Sequence, residues 1–189
     1  MSSSIFGIFL DRDGTINIDQ GYSYNITNFI FINGVIDAMI QLKKMKFCLI
    51  IVTNQSGIAR GFFSKEQFIQ LTKWMIKILK TYQINIDGIY FCPHHPQGAI
   101  KQFKQNCNCR KPKPGMLLNA EKNLNLNMNK SYIIGDTTED MLAGQAAGIG
   151  TKILVRSGKM ITKHGINSAD YIIDSLAYLP EIIKLHKNF

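Results

Sequence analysis

No apolar stretch in this 189-residue chain approaches the ~20 residues that a bilayer-spanning helix needs. The opening Met1-Ser2-Ser3-Ser4 has no basic segment, and the apolar run behind it is cut short by Asp11. Both features argue against a secretory signal and for a cytoplasmic protein with no membrane partner. In that setting the four cysteines, Cys48, Cys92, Cys107 and Cys109, point to metal ligands or spare thiols rather than disulfides. Acidic residues are the scarcer charge, 13 against 22 basic, which leaves a net charge of +9. Such an excess attracts anions in general. Yet the lysines are scattered, no charge run is blocky and no nucleic-acid motif is present, so no polynucleotide partner is expected. Internal repeats and linkers are also missing. With 46% hydrophobic residues, the chain suits one globular domain over residues 1–189.

What is present is organised around Phe9-Leu10-Asp11-Arg12-Asp13-Gly14-Thr15-Ile16-Asn17. An apolar run over residues 5–10 reads as a buried strand that ends in two carboxylates two residues apart. Open α/β sheets take their ligands at the carboxyl ends of their strands, which is where Asp11 falls. If the extended geometry continues, Asp11 and Asp13 face the same side and repel, so a cation is expected between them. Mg²⁺ suits a few carboxylates plus phosphate oxygens. A carboxylate can also accept a phosphoryl group as a nucleophile. A solvated acidic turn explains a bare D-x-D equally well, so the rest of the chain must decide.

Beyond it, strand and helix signals alternate. Residues 17–31 read as a loop or flap. Helical spacing predicts helices over 34–46, 64–80, 116–124, 139–147 and 176–186. Ser64-x-x-Gln67 marks a capping box at the second of these. Strands are predicted over 47–52, 86–92, 132–135, 152–155 and 171–173. The alternation implies a Rossmann-like, doubly wound parallel sheet with helices on both faces. Residues 92–115 have no periodicity and are too long for an ordinary connection.

Three further motifs stand near strand ends. Thr53-Asn54-Gln55-Ser56-Gly57 offers a hydroxyl, an amide and backbone N–H groups suited to phosphate oxygens, although a plain turn would look the same. Arg110-Lys111-Pro112 presents a fixed ammonium and a bidentate fork for anions, or merely an exposed basic loop. Asp136 ends an apolar strand as Asp11 does, and Asp140 completes a capping box with Thr137 or serves a metal indirectly. Cys92-x-His94 and Cys107-x-Cys109 together make a Cys₃His set suited to structural zinc, with His95 as the rival ligand and Cys48 as a core residue.

In this order, D-x-D-G-T, T-N, K-P and G-D-x-x-x-D resemble the four motifs of the haloacid-dehalogenase (HAD) superfamily of phosphohydrolases. F-L-D-R-D-G-T-I-N, V-T-N-Q-S-G-I-A-R-G, C-P-H-H-P-Q-G, C-x-C-R-K-P-x-P-G-M-L and G-x-G-T-K-x-L-V-R narrow the resemblance to its bacterial heptose bisphosphate phosphatases. The resemblance implies a HAD-like fold with a zinc loop at about residues 92–109 and no large cap domain. It implies a monomeric Mg²⁺-dependent phosphatase that removes the 7-phosphate of a heptose 1,7-bisphosphate through an aspartyl phosphate, on the route to lipopolysaccharide precursors. Asp11 would be the nucleophile and Asp13 the general acid, then base. Asp11, the Asp13 carbonyl and Asp136 would hold Mg²⁺, while Cys92, His94, Cys107 and Cys109 would hold Zn²⁺. Thr53 and Lys111 would stabilise the phosphoryl group and Arg110 would recognise the substrate. Asp19, Gln20, Gly21 and Tyr22, with Asn54, Gln55 and Ser56, would line the rest of the sugar phosphate site. Thr137 stands where the resembling family usually carries a substrate-contacting lysine. The alternatives are a histidinol-phosphate phosphatase, a nucleic-acid 3′-phosphatase or a non-catalytic zinc module.

Overall fold

The computed structural model describes residues 5–186. Six strands, β1 (Gly7–Leu10), β2 (Cys48–Asn54), β3 (Gly88–Cys92), β4 (Tyr132–Gly135), β5 (Thr151–Val155) and β6 (Tyr171–Ile173), form one parallel sheet. Its order is β3-β2-β1-β4-β5-β6, the Rossmann-type arrangement expected from the alternating pattern. The order reverses at β1, which is flanked by β2 and β4, so Asp11 and Asp136 leave adjacent strands at the switch point where such sheets bind ligands.

The strands form because their side chains are apolar on both faces. Ile8, Phe9 and Leu10 are all fully buried, and each such side chain contributes about 1.5–3 kcal/mol on leaving water. Ile8 and Leu10 face a core layer built with Met39 and Leu42 of α1 (Val35–Lys44), Leu71 and Met75 of α3 (Lys65–Thr81) and Ile183 of α7 (Leu179–His186). Phe9 turns to the opposite layer, against Met116 and Leu117 of α4 (Gly115–Leu124) and Ala143 of α5 (Thr138–Ala146). This is the two-residue alternation of an extended strand read out as two cores.

α3 starts as its sequence dictates: the Gln67 N–H donates to the Ser64 hydroxyl and the Ser64 N–H donates to the Gln67 side chain. Two short helices, α2 (Ser56–Arg60) and α6 (Lys163–Ser168), were not signalled, because five or six residues hold too little of a helical period. The last helix also starts later than expected, since Leu176–Tyr178 forms a 3₁₀ turn before α7. Among the described residues no helix is long and apolar enough to cross a membrane.

Candidate active site

The Asp11 N–H donates to the Ile134 carbonyl, which extends β1 by one residue and fixes Asp11 at the sheet edge. The Lys111 ammonium lies against it, donating to Asp11 Oδ1 (2.7 Å), to Asp140 Oδ1 (2.5 Å) and to the Val52 carbonyl (2.8 Å). Asn54 explains how a lysine from a long loop reaches this point. Its side chain clasps the Lys111 backbone, accepting from the N–H and donating to the carbonyl, both at 3.1 Å.

The Asp11 and Asp13 carboxylates do not face the same partner, as continued extension of the strand would have them do. The chain turns after Asp11, with the Ile16 N–H donating to the Arg12 carbonyl at 2.8 Å. Asp13 is thereby directed to Arg12 (2.8–3.2 Å), Asn17 (3.0 Å) and Gln55 (3.0 Å). Each carboxylate has its own positive partner. Burial works to raise the Asp13 carboxyl, but the Arg12 charge and these donors outweigh it and hold it below the usual range.

Asp11, Asp136 and Asp140 bring carboxylate oxygens within 4.8 Å of one another, all three buried. Burial pushes Asp11 up to about 8 against the pull of Lys111, with Asp140 and Asp136 adding to the rise. Burial and Asp140 raise Asp136 to about 6. Lys111 moves the other way from a buried amine: burial disfavours its charge, but Asp11 and Asp140 hold its proton and raise it above the ordinary lysine range. Three buried carboxylates around one ammonium leave a surplus of negative charge, which suits a hard divalent cation. Asp140 answers both of its sequence readings. Its Oδ2 accepts from the N–H and hydroxyl of Thr137 at the start of α5, and its Oδ1 faces Lys111. Asp136 is cradled by glycines: a Cβ on Gly14 or Gly158 would come within 2.5 or 2.1 Å of its Oδ2.

A cavity of about 430 Å³ opens over this floor. It is lined by all the expected catalytic, Mg²⁺ and substrate residues except Gln20, which is exposed on the flap and does not reach it. Glu139, Asp140 and Lys159 line it as well. Lys159 carried no motif signal, but it follows β5 and its N–H donates to Asp136 Oδ2 at 2.9 Å. On the flap, the Tyr22 ring packs on Phe62 with centroids 4.4 Å apart.

Outside the lining of the cavity, Cys92, His94, Cys107 and Cys109 converge with ligand atoms within 4.8 Å of one another. The sulfurs are 3.1–3.4 Å apart, and His94 Nδ1 lies 3.4 Å from Cys109 Sγ and 3.8 Å from Cys92 Sγ. The four cysteines of the chain are free. This donor set fits a tetrahedral zinc ion with bonds of about 2.0–2.3 Å. His95 is turned away, with Nε2 3.1 Å from Arg60 Nη2 and Nδ1 accepting from the Gln97 N–H. Arg110 and Lys111 follow Cys109 directly, so whatever fixes the cluster fixes them too.

A six-stranded parallel sheet whose central strands end in carboxylates around a buried lysine defines the chain as a HAD-like hydrolase, and a family model described as HAD-hydrolase-like matches residues 108–179. The chain is 58% identical over 184 residues to D-glycero-beta-D-manno-heptose-1,7-bisphosphate 7-phosphatase of Escherichia coli (strain K12), covering 97% of this chain and 96% of that one. The enzyme of the same name from Yersinia pestis is 56% identical, with 97% and 98% covered. Identity at this level over nearly the whole of both chains places the protein in the D-glycero-beta-D-manno-heptose-1,7-bisphosphate 7-phosphatase family. Among solved structures, the D,D-heptose 1,7-bisphosphate phosphatase from B. bronchiseptica complexed with magnesium and phosphate superposes with a TM-score of 0.82 at 26% identity, covering 96% of this chain and 99% of that one.

Proposed function

We propose that the chain, acting as a single domain, removes the 7-phosphate of D-glycero-β-D-manno-heptose 1,7-bisphosphate to supply a heptose 1-phosphate for nucleotide activation. The observation that carries the reading is the buried Asp11–Lys111 pair, 2.7 Å apart at the floor of a cavity that also holds Asp13. Family membership favours heptose over histidinol phosphate.

In the first half-reaction an Asp11 oxygen attacks phosphorus in line, and the bond from phosphorus to the sugar oxygen breaks. The departing oxygen keeps the electron pair and takes a proton from Asp13. Asp13 rests as an anion in the donors described above, so it first takes that proton from solvent water as the anionic phosphoryl group arrives beside it. In the second half-reaction water attacks the aspartyl phosphate, Asp13 accepts a proton from the water, and the electron pair of the breaking P–O bond returns to Asp11. Lys111 and the Thr53 hydroxyl face the phosphoryl oxygens and offset their charge. Asp11, the Asp13 carbonyl and Asp136 are the residues to hold Mg²⁺, while Asp140, both oxygens engaged, orients Lys111 and the start of α5. Mg²⁺, when bound, neutralises charge on the phosphoryl oxygens. The cysteine–histidine cluster would hold a structural zinc ion that keeps Arg110 and Lys111 in place.

The test is steady-state hydrolysis of the heptose bisphosphate and of histidinol phosphate side by side, with the product position assigned by NMR. A higher kcat/KM on histidinol phosphate, or release of the 1-phosphate, would overturn the reading.

A further inference from the structure

Among the described residues the largest fully buried side chain is Arg12, which has no part in the mechanism above. It is 1% exposed and does not line the cavity, so it cannot touch substrate. Its Nη2 donates to both oxygens of Asp13 (3.0 and 2.8 Å), and its Nε donates to Oδ2 (3.2 Å). The same Nη2 reaches the Ser23 carbonyl of the flap at 2.9 Å and Gln55 Oε1 at 3.4 Å. The guanidinium lies over the Phe68 ring of α3, 5.4 Å from its centre. One side chain thus joins the proton-exchanging carboxylate, the flap and a core helix. Stability alone is a poor account of it. Nη1 is buried with no partner among the described residues, and apolar groups often replace a buried ion pair without loss. The planar fork is instead suited to fixing where a carboxylate points.

We propose that Arg12 is a positioning residue: it aims the Asp13 carboxylate at the departing oxygen and ties that aim to the flap through Ser23. The inference rests on the reading above, in which Asp13 exchanges the proton. Removing the fork leaves Asp13 with Asn17 and Gln55 alone, free to turn, while Asp11 and Lys111 keep their places.

The experiment compares kcat/KM for the heptose bisphosphate with kcat/KM for p-nitrophenyl phosphate, because this constant reports the steps up to departure of the leaving group. A sugar oxygen needs a proton to leave, whereas p-nitrophenolate departs unaided. In Arg12→Lys, and more strongly in Arg12→Ala, the sugar value should fall relative to the p-nitrophenyl value by roughly ten- to a hundredfold. Added guanidinium ion should restore the sugar value of Arg12→Ala selectively. Phe68→Leu keeps Arg12 but removes the ring beneath it, so it should move the same ratio severalfold even if Arg12→Ala does not fold. Equal losses on both substrates, or an unchanged ratio in Phe68→Leu and Arg12→Lys, would overturn the proposal. If the wild type does not hydrolyse the heptose bisphosphate, the substrate reading fails, and the same ratio on any alkyl phosphate it does hydrolyse still decides Arg12.

Discussion

Asp11 and Lys111 are buried together, but the ammonium also pairs with Asp140, so losing the Asp11 charge does not strand Lys111. Asp11→Asn keeps the shape and leaves Asp140 to hold Lys111, but an amide does not attack phosphorus. Turnover should disappear while the melting curve stays close to wild type; near-normal turnover would remove Asp11 as nucleophile. Arg110 lines the cavity and its Nη1 is buried with no partner among the described residues, which fits a fork waiting for an anion. A charge-assisted contact is worth about 1.5–3 kcal/mol, so Arg110→Ala should cost roughly ten- to a hundredfold in kcat/KM. The loss should fall on the bisphosphate and spare p-nitrophenyl phosphate, which has no second phosphate; equal losses would assign Arg110 to the reacting group or the loop. Asp11 and Asp136 were legible in the sequence because an apolar run fixes where a strand ends and what its last residue faces, whereas Lys111 was signalled only by its K-P pair in a proline-punctuated loop. Arg12 was not, since an arginine between two aspartates reads as turn charge until the flap and Phe68 are folded over it. Lys159 needed the register of the loop after β5 against Asp136, which no local pattern carries.

Among the elements, the long segment between β3 and α4 depends on its cysteines. It has little apolar content of its own, yet it must deliver Lys111 to within 2.7 Å of Asp11. Cys92, His94, Cys107 and Cys109 could close it around a zinc ion, and metal binding would then contribute directly to folding. One zinc per chain is therefore expected by elemental analysis, retained when added Mg²⁺ is withdrawn and activity falls. Cys107→Ser or Cys109→Ser should lower the melting temperature, speed amide exchange over 92–115 and reduce activity indirectly. Protein purified without chelator and containing no zinc would end the assignment. Elements with a full period were legible: α1 and α3 bury Val35, Ala38, Met39, Leu42 and Phe68, Leu71, Met75, Leu79 at the expected spacings. α2 was not, because Ser56-Gly57-Ile58-Ala59-Arg60 looks like the tail of a phosphate-binding turn and helix formation depends on packing against Phe63 and the loop.

At the scale of the whole molecule two opposed charge distributions meet. The chain carries +9 overall, which draws anions toward it. The cavity is lined by six carboxyl groups (Asp11, Asp13, Asp19, Asp136, Glu139, Asp140) and three cations (Arg110, Lys111, Lys159), so added positive charge would favour a bisphosphate there. This makes stability depend on pH and metal together. Burial raises Asp136 from 3.8 to about 6 and Asp11 from 3.8 to about 8. A carboxyl whose folded value is raised binds its proton more tightly when folded, so its stabilising effect is lost as pH rises. Without metal, that loss runs from about pH 4 to 6 for Asp136 and continues to about pH 8 for Asp11. Asp13, held low, acts oppositely and weakens the fold only on acidification below the usual carboxylate range. A divalent cation bound at these carboxylates would replace the protons that the first two groups lose, so it should stabilise more at high pH. At a Mg²⁺ concentration a hundredfold above its dissociation constant the gain is about 2.7 kcal/mol, or roughly 5–10 °C for a chain of this size. Thermal melts with and without Mg²⁺ should show a small increment at pH 5 that grows toward pH 8. Asp136→Asn should flatten the rise between pH 5 and 6 and Asp11→Asn the part above it. An increment independent of pH, or larger at pH 5, would mean that the cation does not bind at these carboxylates.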